Sequence, residues 1–312
     1  ALRAAQTAPM YASQVKQMLD RPFGPRKRGI KQMKYFHVDV FSDKPLSGNG
    51  LTVVFIDQGI DDSILLKLAQ EFKQFETIFI YPKKDEIFPV RVFTVQEELP
   101  FAGHPLLGAA SVIHKIFYPQ QIEKKIKLGL GKRSISLNSK TDNQVFSVSM
   151  NQGKAAFIKN VNRTEAINIA NYFNLKSDDL NEKYPVEIVS TGLPYVLLPL
   201  GKNIGNARIV KDGLEQYIAK HHAKFVYLFD TQTLECRTWD NTGLFEDVAT
   251  GSAAGPLIAS LVHNRSKTEN EKIRITQGTY LGRKSTITGW VTNDEVFIEG
   301  KVAFFGNGEI SI

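Results

Sequence analysis

The chain has 312 residues, of which 42% are hydrophobic and 23% charged, as in an ordinary globular protein large enough to bury a core. Its net charge of +7 comes almost entirely from residues 1–32, which carry seven basic residues and one acidic residue. The nearly neutral remainder argues against a nucleic-acid partner, and no apolar run approaches the ~20 residues of a membrane span.

The first segment is predicted to stand apart from the folded body. Residues 21–31 are rich in Arg, Lys, Gly and Pro, and Met33 then begins a strand-like pattern. Residues 1–32 are therefore interpreted as a basic N-terminal extension, either natural or expression-derived. Cys236 is the only cysteine, which excludes an intrachain disulfide and fits a reducing, cytoplasmic compartment. The six scattered histidines do not indicate a metal site.

Short strand-like segments outnumber helices along the rest of the chain. Apolar spacing predicts a helix over residues 61–72 with Asp61 or Asp62 near its cap, and further helices over 163–173 and 213–220. The predicted strands are 34–40, 51–56, 76–81, 89–94, 125–128, 134–137, 145–150, 186–189, 195–200, 225–229, 235–239, 273–277, 285–291 and 296–298.

Two segments rich in small residues resemble each other. Residues 99–116 and 243–263 each combine a glycine step with an apolar helix, and an acidic loop and a strand-like segment precede each helix. Sliding one copy by 149 positions aligns Ala-Ser-Val-Ile-His at 110–114 with Ala-Ser-Leu-Val-His at 259–263. The first helix is expected to open with Pro105 at N1. This pattern predicts a duplicated fold whose two helix starts face one anion-binding site, and the alternative is a coincidence between two helices rich in small residues.

Glu76 is the carboxylate that the pattern singles out. Both faces of its predicted strand are largely apolar, so we expect Glu76 to point into a protected environment. Desolvation there raises the pKa of a carboxyl, which suits a general acid or base near neutral pH. The alternative is a glutamate at the strand edge with its head group in water.

Three more polar residues lie near the predicted helix starts. His104 can hydrogen-bond a ligand or relay a proton, or can only pack and satisfy a local carbonyl. Asp247 can act as a base or orienting acceptor, or only complement the helix dipole. Ser252 can bind a carboxylate or cap the second helix, where Thr250 is the other candidate cap. The chain contains no motif of a serine hydrolase, zinc protease or P-loop protein.

The ordered motifs of this sequence resemble the phenazine-biosynthesis PhzF-like family. The resemblance runs from Met33 to Ile312 and leaves out the basic extension. The matching segments are Val38-Asp39-Val40-Phe41, Ser47-Gly48-Asn49, Glu71-Phe72, Glu76-Thr77, Leu99-Pro100-Phe101-Ala102-Gly103-His104-Pro105, Glu246-Asp247-Val248-Ala249-Thr250-Gly251-Ser252-Ala253-Ala254-Gly255-Pro256, Gln277-Gly278 and Gly282-Arg283.

The resemblance implies an α+β, diaminopimelate-epimerase-like fold with two pseudo-symmetric lobes, each a β-barrel around a central helix. We expect the lobes at residues 33–153 and 154–312, with the site between them and a homodimer as the assembly. The resemblance also implies cofactor-free isomerisation in which Glu76 moves a proton. The supporting positions that it implies are catalytic His104 and Asp247 and substrate-binding Asn49, Gly103, Gly251 and Ser252.

The sequence thus predicts an isomerase that moves a proton between carbons of a small carboxylate-bearing metabolite, without a cofactor or metal. One alternative is a ligand-binding or protein-interaction module that keeps the fold without turnover. Another is an epimerase or racemase that uses Glu76 with His104 or Asp247 as the opposing base. Because Cys236 stands alone, the two-cysteine mechanism of epimerases with this fold is excluded.

Overall fold

The computed structural model describes residues 32–56 and 60–312. The predicted basic extension lies outside the described residues, except for Gln32, which already belongs to the first strand. Within the described ranges, no helix has the length and apolar character to cross a membrane.

The first half of the chain forms strands around one central helix. As predicted, Asp61 is the N-cap of the first helix, and its side chain accepts a hydrogen bond from the Ser63 N–H. The elements are β1 (Gln32–Val40), β2 (Asn49–Phe55), α1 (Asp62–Phe72), β3 (Glu76–Ile80), β4 (Ile87–Phe93), β5 (Glu98–Leu99), α2 (Gly103–Phe117), β6 (Glu123–Leu130), β7 (Arg133–Asp142) and β8 (Val145–Lys154).

The second half repeats this plan with an additional helix at its start. Three short 3₁₀ turns, at Ser177–Asp179, Ile204–Asn206 and Thr279–Leu281, connect its elements. The elements are β9 (Ala156–Val161), α3 (Arg163–Tyr172), β10 (Val186–Ser190), β11 (Pro194–Leu200), α4 (Leu214–Ala219), β12 (Phe225–Asp230), β13 (Glu235–Arg237), α5 (Gly251–His263), β14 (Ile273–Gln277), β15 (Ser285–Thr292) and β16 (Glu295–Ser311).

Strand pairing follows the same series in both halves. From β1 through β2, β3, β4, β6 and β7 to β8, the successive pairs are antiparallel, parallel, antiparallel, parallel, antiparallel and antiparallel. The series from β10 through β11, β12, β13, β14 and β15 to β16 is identical. Parallel neighbours need a crossover, which α1, α2, α4 and α5 supply. This repetition is the duplication that the small-residue segments predict.

Two long strands join the halves. The first part of β16 pairs with β15 and β8, and its remainder pairs with β1, which closes the first-half strands into an eight-stranded barrel. In the second half, β8 pairs with β16, and its continuation β9 pairs with β10. The predicted lobe boundary between residues 153 and 154 falls at the end of β8 and stays a prediction.

The helices α2 and α5 fill the interior of the two halves and are buried along nearly their whole length. Small residues make this possible, because a Cβ on Gly108 would lie 2.3 Å from Leu51 Cδ2. Both helices belong to one continuous apolar core. The remaining helices are amphipathic and cover the outside, where α1 packs over one separate apolar cluster and α3 and α4 over another.

Most strands differ from their predicted bounds at one or both ends, and three of the differences have a clear structural cause. β16 extends to Ser311, well beyond the predicted residue 298, because its ladder with β1 continues through a glycine-rich segment that has no strand pattern. β9 was not predicted, since five of its six residues are exposed and show no alternation. β13 ends at Arg237, and Trp239 takes part only in an isolated bridge with Glu246.

Candidate active site

Glu76 is the first residue of β3, where the sheet begins to cover α2. β3 runs parallel to β2, with Glu76 opposite Leu51. All five residues of β3 are buried, and Glu76 itself is only 8% exposed. The apolar character of both strand faces therefore places this carboxyl out of water, and the edge position with a solvated head group is excluded.

Glu76 faces His104, which lies in the first turn of α2. Glu76 Oε2 and His104 Nε2 are 3.3 Å apart. Their geometry is not that of a hydrogen bond, and neither atom has a hydrogen-bond partner within residues 32–56 and 60–312. Buried polar atoms are nearly always paired, so two adjacent unpaired atoms mark a place for a ligand atom or a proton.

Burial moves the two ionisations in opposite directions. Desolvation, followed by the negative charge of Asp247, raises the pKa of Glu76 to about 8. Desolvation lowers the pKa of His104 to about 3. Near neutral pH, Glu76 is therefore mostly protonated and His104 is a neutral imidazole.

Asp247 belongs to the loop between β13 and α5. Its Oδ2 accepts a 2.5 Å hydrogen bond from the Thr250 hydroxyl, and its Oδ1 accepts one of 3.1 Å from Asn49 Nδ2. The pKa of Asp247 is raised by burial, while the bonds from Thr250, Ala249 and Asn49 act in the opposite direction. Unlike Glu76, this carboxyl is surrounded by donors.

Asn49 connects the halves of the chain at this point. It is the first residue of β2, and its amide nitrogen donates to Asp247 Oδ1 and to Ala249 O, both at 3.1 Å. Glu76, His104 and Asn49 from the first half therefore lie together with Asp247 from the second half. Since its nitrogen is engaged by the protein, Asn49 has only its amide oxygen left for a substrate.

The helix starts differ in detail from their predicted form. Neither N-cap residue, Ala102 of α2 or Thr250 of α5, makes a capping hydrogen bond with its own side chain. Pro105 is the third helical residue rather than N1, a position where its missing N–H is equally unneeded. Ser252 does not cap α5; its hydroxyl bonds the Tyr195 hydroxyl at 2.9 Å.

Gly103 and Gly251 are the first helical residues of α2 and α5. A Cβ on Gly103 would make only an ordinary contact, 3.8 Å from Met150 Cε, whereas one on Gly251 would lie 3.2 Å from Phe41 Cζ. The carbonyl of Gly251 accepts a hydrogen bond from Gln152 Nε2 at 3.0 Å. The backbone is thus closely surrounded at the second helix start and open at the first.

Three side chains near the site were missed by the sequence prediction. Gln277 bonds the loop that carries Asp247, Tyr195 bonds Ser252, and Gln152 bonds Gly251. Gln277 stands in one of the family motifs, but nothing in the local pattern indicates its partners. The described residues contain no group of three or more His, Cys, Asp and Glu side chains arranged to hold a metal ion.

Known proteins of the same architecture are isomerases and epimerases. The family described as phenazine biosynthesis-like protein matches residues 38–308. Trans-2,3-dihydro-3-hydroxyanthranilate isomerase of Pseudomonas aeruginosa is 28% identical over 264 residues, or 81% of this chain and 88% of the relative. The structure of a predicted epimerase of the same organism superposes with a TM-score of 0.82 at 42% identity, covering 89% of this chain and 98% of that chain.

A more distant structure shares the fold alone. A hydroxyproline epimerase of Agrobacterium vitis has a TM-score of 0.59 at 12% identity and covers 90% of this chain and 93% of that chain. The duplicated strand series around two buried helices is therefore the diaminopimelate-epimerase-like fold, and the protein is an isomerase. The chain belongs to the phenazine biosynthesis-like family, PhzF. Fold, family and enzyme class confirm the predictions from the sequence.

Proposed function

We propose that the enzyme moves a proton between carbons of a small carboxylate-bearing metabolite. Glu76 is the general acid and base, with His104 and Asp247 beside it, in a cleft between the two halves. The observation that carries this proposal is the pair of buried, unpaired atoms, Glu76 Oε2 and His104 Nε2. A purely structural carboxyl at this depth has hydrogen-bond donors, as Asp247 has.

The two helix starts supply the binding site for the substrate carboxylate. The first-turn N–H groups of α2 and α5 carry the positive end of each helix dipole, which favours an anion. Gly103 and Gly251 offer these groups, and Asn49 and Ser252 line the same place. The P. aeruginosa relative is named for trans-2,3-dihydro-3-hydroxyanthranilate, a carboxylate, which supports a carboxylate substrate for this chain as well.

Moving a proton between two carbons of one substrate requires a group that acts once as an acid and once as a base. The carboxyl form of Glu76, which predominates near neutral pH, gives its proton to one carbon, and the resulting carboxylate then removes a proton from another carbon of the same substrate and becomes a carboxyl again. A pKa of about 8 keeps both forms accessible near neutral pH, which is the condition for acid–base catalysis in both directions. His104 is neutral and can accept or donate one hydrogen bond at the reacting substrate.

The test is a panel of small cyclic and unsaturated acids incubated with the enzyme in deuterated water. We expect carbon-bound deuterium together with a shifted double bond, and we expect Glu76→Gln to lower the rate by about 10²–10⁴-fold because the amide has no transferable proton. The control is Glu187→Gln, which alters another buried carboxyl that bonds Ser260 and Asn264 away from the site.

Other outcomes select the alternatives. Exchange with stereoinversion and an unmoved double bond indicates an epimerase or racemase, with Asp247 or His104 as the opposing base. Binding without exchange for every acid in the panel indicates a module without turnover. Activity of Glu76→Gln close to that of the unmodified enzyme removes Glu76 as the proton carrier.

A further inference from the structure

Gln277 is the last residue of β14, and every hydrogen-bonding position of its side-chain amide is occupied. It is fully buried, and its Oε1 accepts hydrogen bonds from the Thr250 N–H at 3.1 Å and the Tyr227 hydroxyl at 3.0 Å. Its Nε2 donates to Asp247 O at 2.9 Å and to Thr250 Oγ1 at 3.0 Å. Two acceptor sites and two donor hydrogens are thus all engaged.

The direction of these bonds is fixed by backbone groups. The Thr250 N–H can only donate, so the atom that it contacts is the amide oxygen of Gln277. The Asp247 carbonyl can only accept, so the atom that it contacts is the amide nitrogen. The second hydrogen on that nitrogen then points at Thr250 Oγ1.

The Thr250 hydroxyl has one hydrogen, and this arrangement decides where it goes. Because Oγ1 already accepts from Gln277, its own hydrogen is directed at Asp247 Oδ2, 2.5 Å away. Asp247 Oδ1 accepts from Asn49 Nδ2. Both oxygens of Asp247 therefore face donors, whereas Glu76 Oε2 has no donor among the described residues.

We propose that Gln277 is a positioning residue that aims the Thr250 hydroxyl at Asp247 and so makes Asp247 the charged member of the Glu76–Asp247 pair. The single proton of the pair is thereby held on Glu76, the residue that transfers it. This inference rests on the proposed function for the use of that proton, but the chain of hydrogen bonds is independent of it.

Other ionisable groups near the pair do not reverse this assignment. His104 of α2 faces Glu76 and is neutral, because its pKa is about 3. Tyr195 of β11 and Tyr227 of β12 both feel the charge of Asp247, and burial raises the pKa of each phenol above its usual value. Both phenols are therefore neutral hydroxyls near pH 7, and among the described residues it is the charge of Asp247 that adds to desolvation in raising the pKa of Glu76.

The experiment is a pH titration of the full-length enzyme, carrying carboxyl-¹³C glutamate and aspartate, by NMR. Glu76→Gln and Asp247→Asn assign the two resonances. In the unmodified protein we expect Asp247 to lose its proton at lower pH than Glu76. The opposite order overturns the proposal, because the proton of the pair then lies on Asp247.

Thr250→Val and Thr250→Ser form the matched pair. Valine keeps the shape without the hydroxyl, so we expect the Asp247 midpoint to rise by about one pH unit and the Glu76 midpoint to fall. Serine keeps the hydroxyl and restores both midpoints. Equal shifts in both variants, or none in Thr250→Val, overturn the proposal because the hydroxyl then has no directed role.

Gln277→Met separates positioning from folding. It removes the donor to Thr250 Oγ1 while leaving the hydroxyl in place, so a folded variant should show the same direction of shift as Thr250→Val. Unchanged midpoints in a folded Gln277→Met protein contradict the role of Gln277. The proposed function fails in a different experiment, when Glu76→Gln still exchanges deuterium, whatever the NMR midpoints are.

Discussion

Glu76 and His104 are buried next to each other, and burial disfavours the charged form of both side chains. The folded pKa of Glu76 is about 8, above the ordinary value of 4.5, so the folded state binds the proton more tightly than the unfolded state. Stability from this group is complete below about pH 4.5 and is lost as pH rises toward 8. His104 has the opposite pH dependence. Its folded pKa of about 3 lies below the ordinary value of 6.5, so its contribution to stability is lost as the pH falls below about 6.5.

Glu76→Gln therefore has a pH-dependent effect on the free energy of unfolding. Relative to the unmodified protein, the variant should gain about 3–5 kcal/mol between pH 5 and pH 9, since each pKa unit corresponds to about 1.4 kcal/mol. Chemical denaturation at a series of pH values measures this difference. A difference that does not vary with pH would mean that Glu76 is not buried as a neutral acid.

The packing of α2 depends on a glycine in its middle. Gly108 faces β1 and β2, where an added Cβ would meet Leu51 Cδ2 at 2.3 Å and Val40 Cγ2 at 3.2 Å. Crossing elements come this close only where one side chain is missing. Gly103, in the first turn of the same helix, has its nearest neighbour at 3.8 Å and is not needed for packing.

Gly108→Ala should destabilise the protein by about 1–2 kcal/mol. Overpacking costs about 1–3 kcal/mol, and the higher helix propensity of alanine offsets up to about 1 kcal/mol of this. Gly103→Ala is the control and should change the free energy of unfolding by less than about 0.5 kcal/mol. Equal effects in urea denaturation would contradict the close approach of α2 to β2.

Arg283 connects the two halves of the molecule outside the shared strands. From the segment before β15 it donates to Asp39 Oδ1 at 2.6 Å and to the Gly48 carbonyl at 2.8 Å. Asp39 is buried at the end of β1, and Gly48 directly precedes Asn49. The same guanidinium thus neutralises a buried carboxylate and holds the loop that leads to the site.

Arg283→Met should lower the free energy of unfolding by about 1–3 kcal/mol, because it leaves the Asp39 carboxylate buried without its cation. The control is Lys301→Met. Lys301 also spans the halves through Asp43, at 3.3 Å, but both side chains are more than half exposed, so the loss should stay below about 1 kcal/mol. Thermal unfolding of both variants shows whether the stabilisation depends on the burial of the ion pair or only on its connecting the two halves.

Local pattern was sufficient for much of the fold and for the burial of Glu76, whereas the roles of the candidate site residues stay predictions. Residues 273–277 were predicted with the bounds that β14 has, and the small-residue segments predicted two equivalent buried helices. The apolar faces around Glu76 predicted its burial. These features depend on neighbours within a few residues, where periodicity carries the information. The homodimer implied by the family remains a prediction.

Tertiary structure decided the features whose partners are remote in the chain. β16 continues to Ser311 only because β1 lies beside it, and Asn49 meets Asp247 across 198 positions. The role of Gln277 depends on two backbone groups of another loop, so no local pattern indicates it. Sequence thus determined the elements and the chemical groups. Their partners were decided by packing, because a buried hydrogen bond depends on where the partner lies in space and not on its distance along the chain.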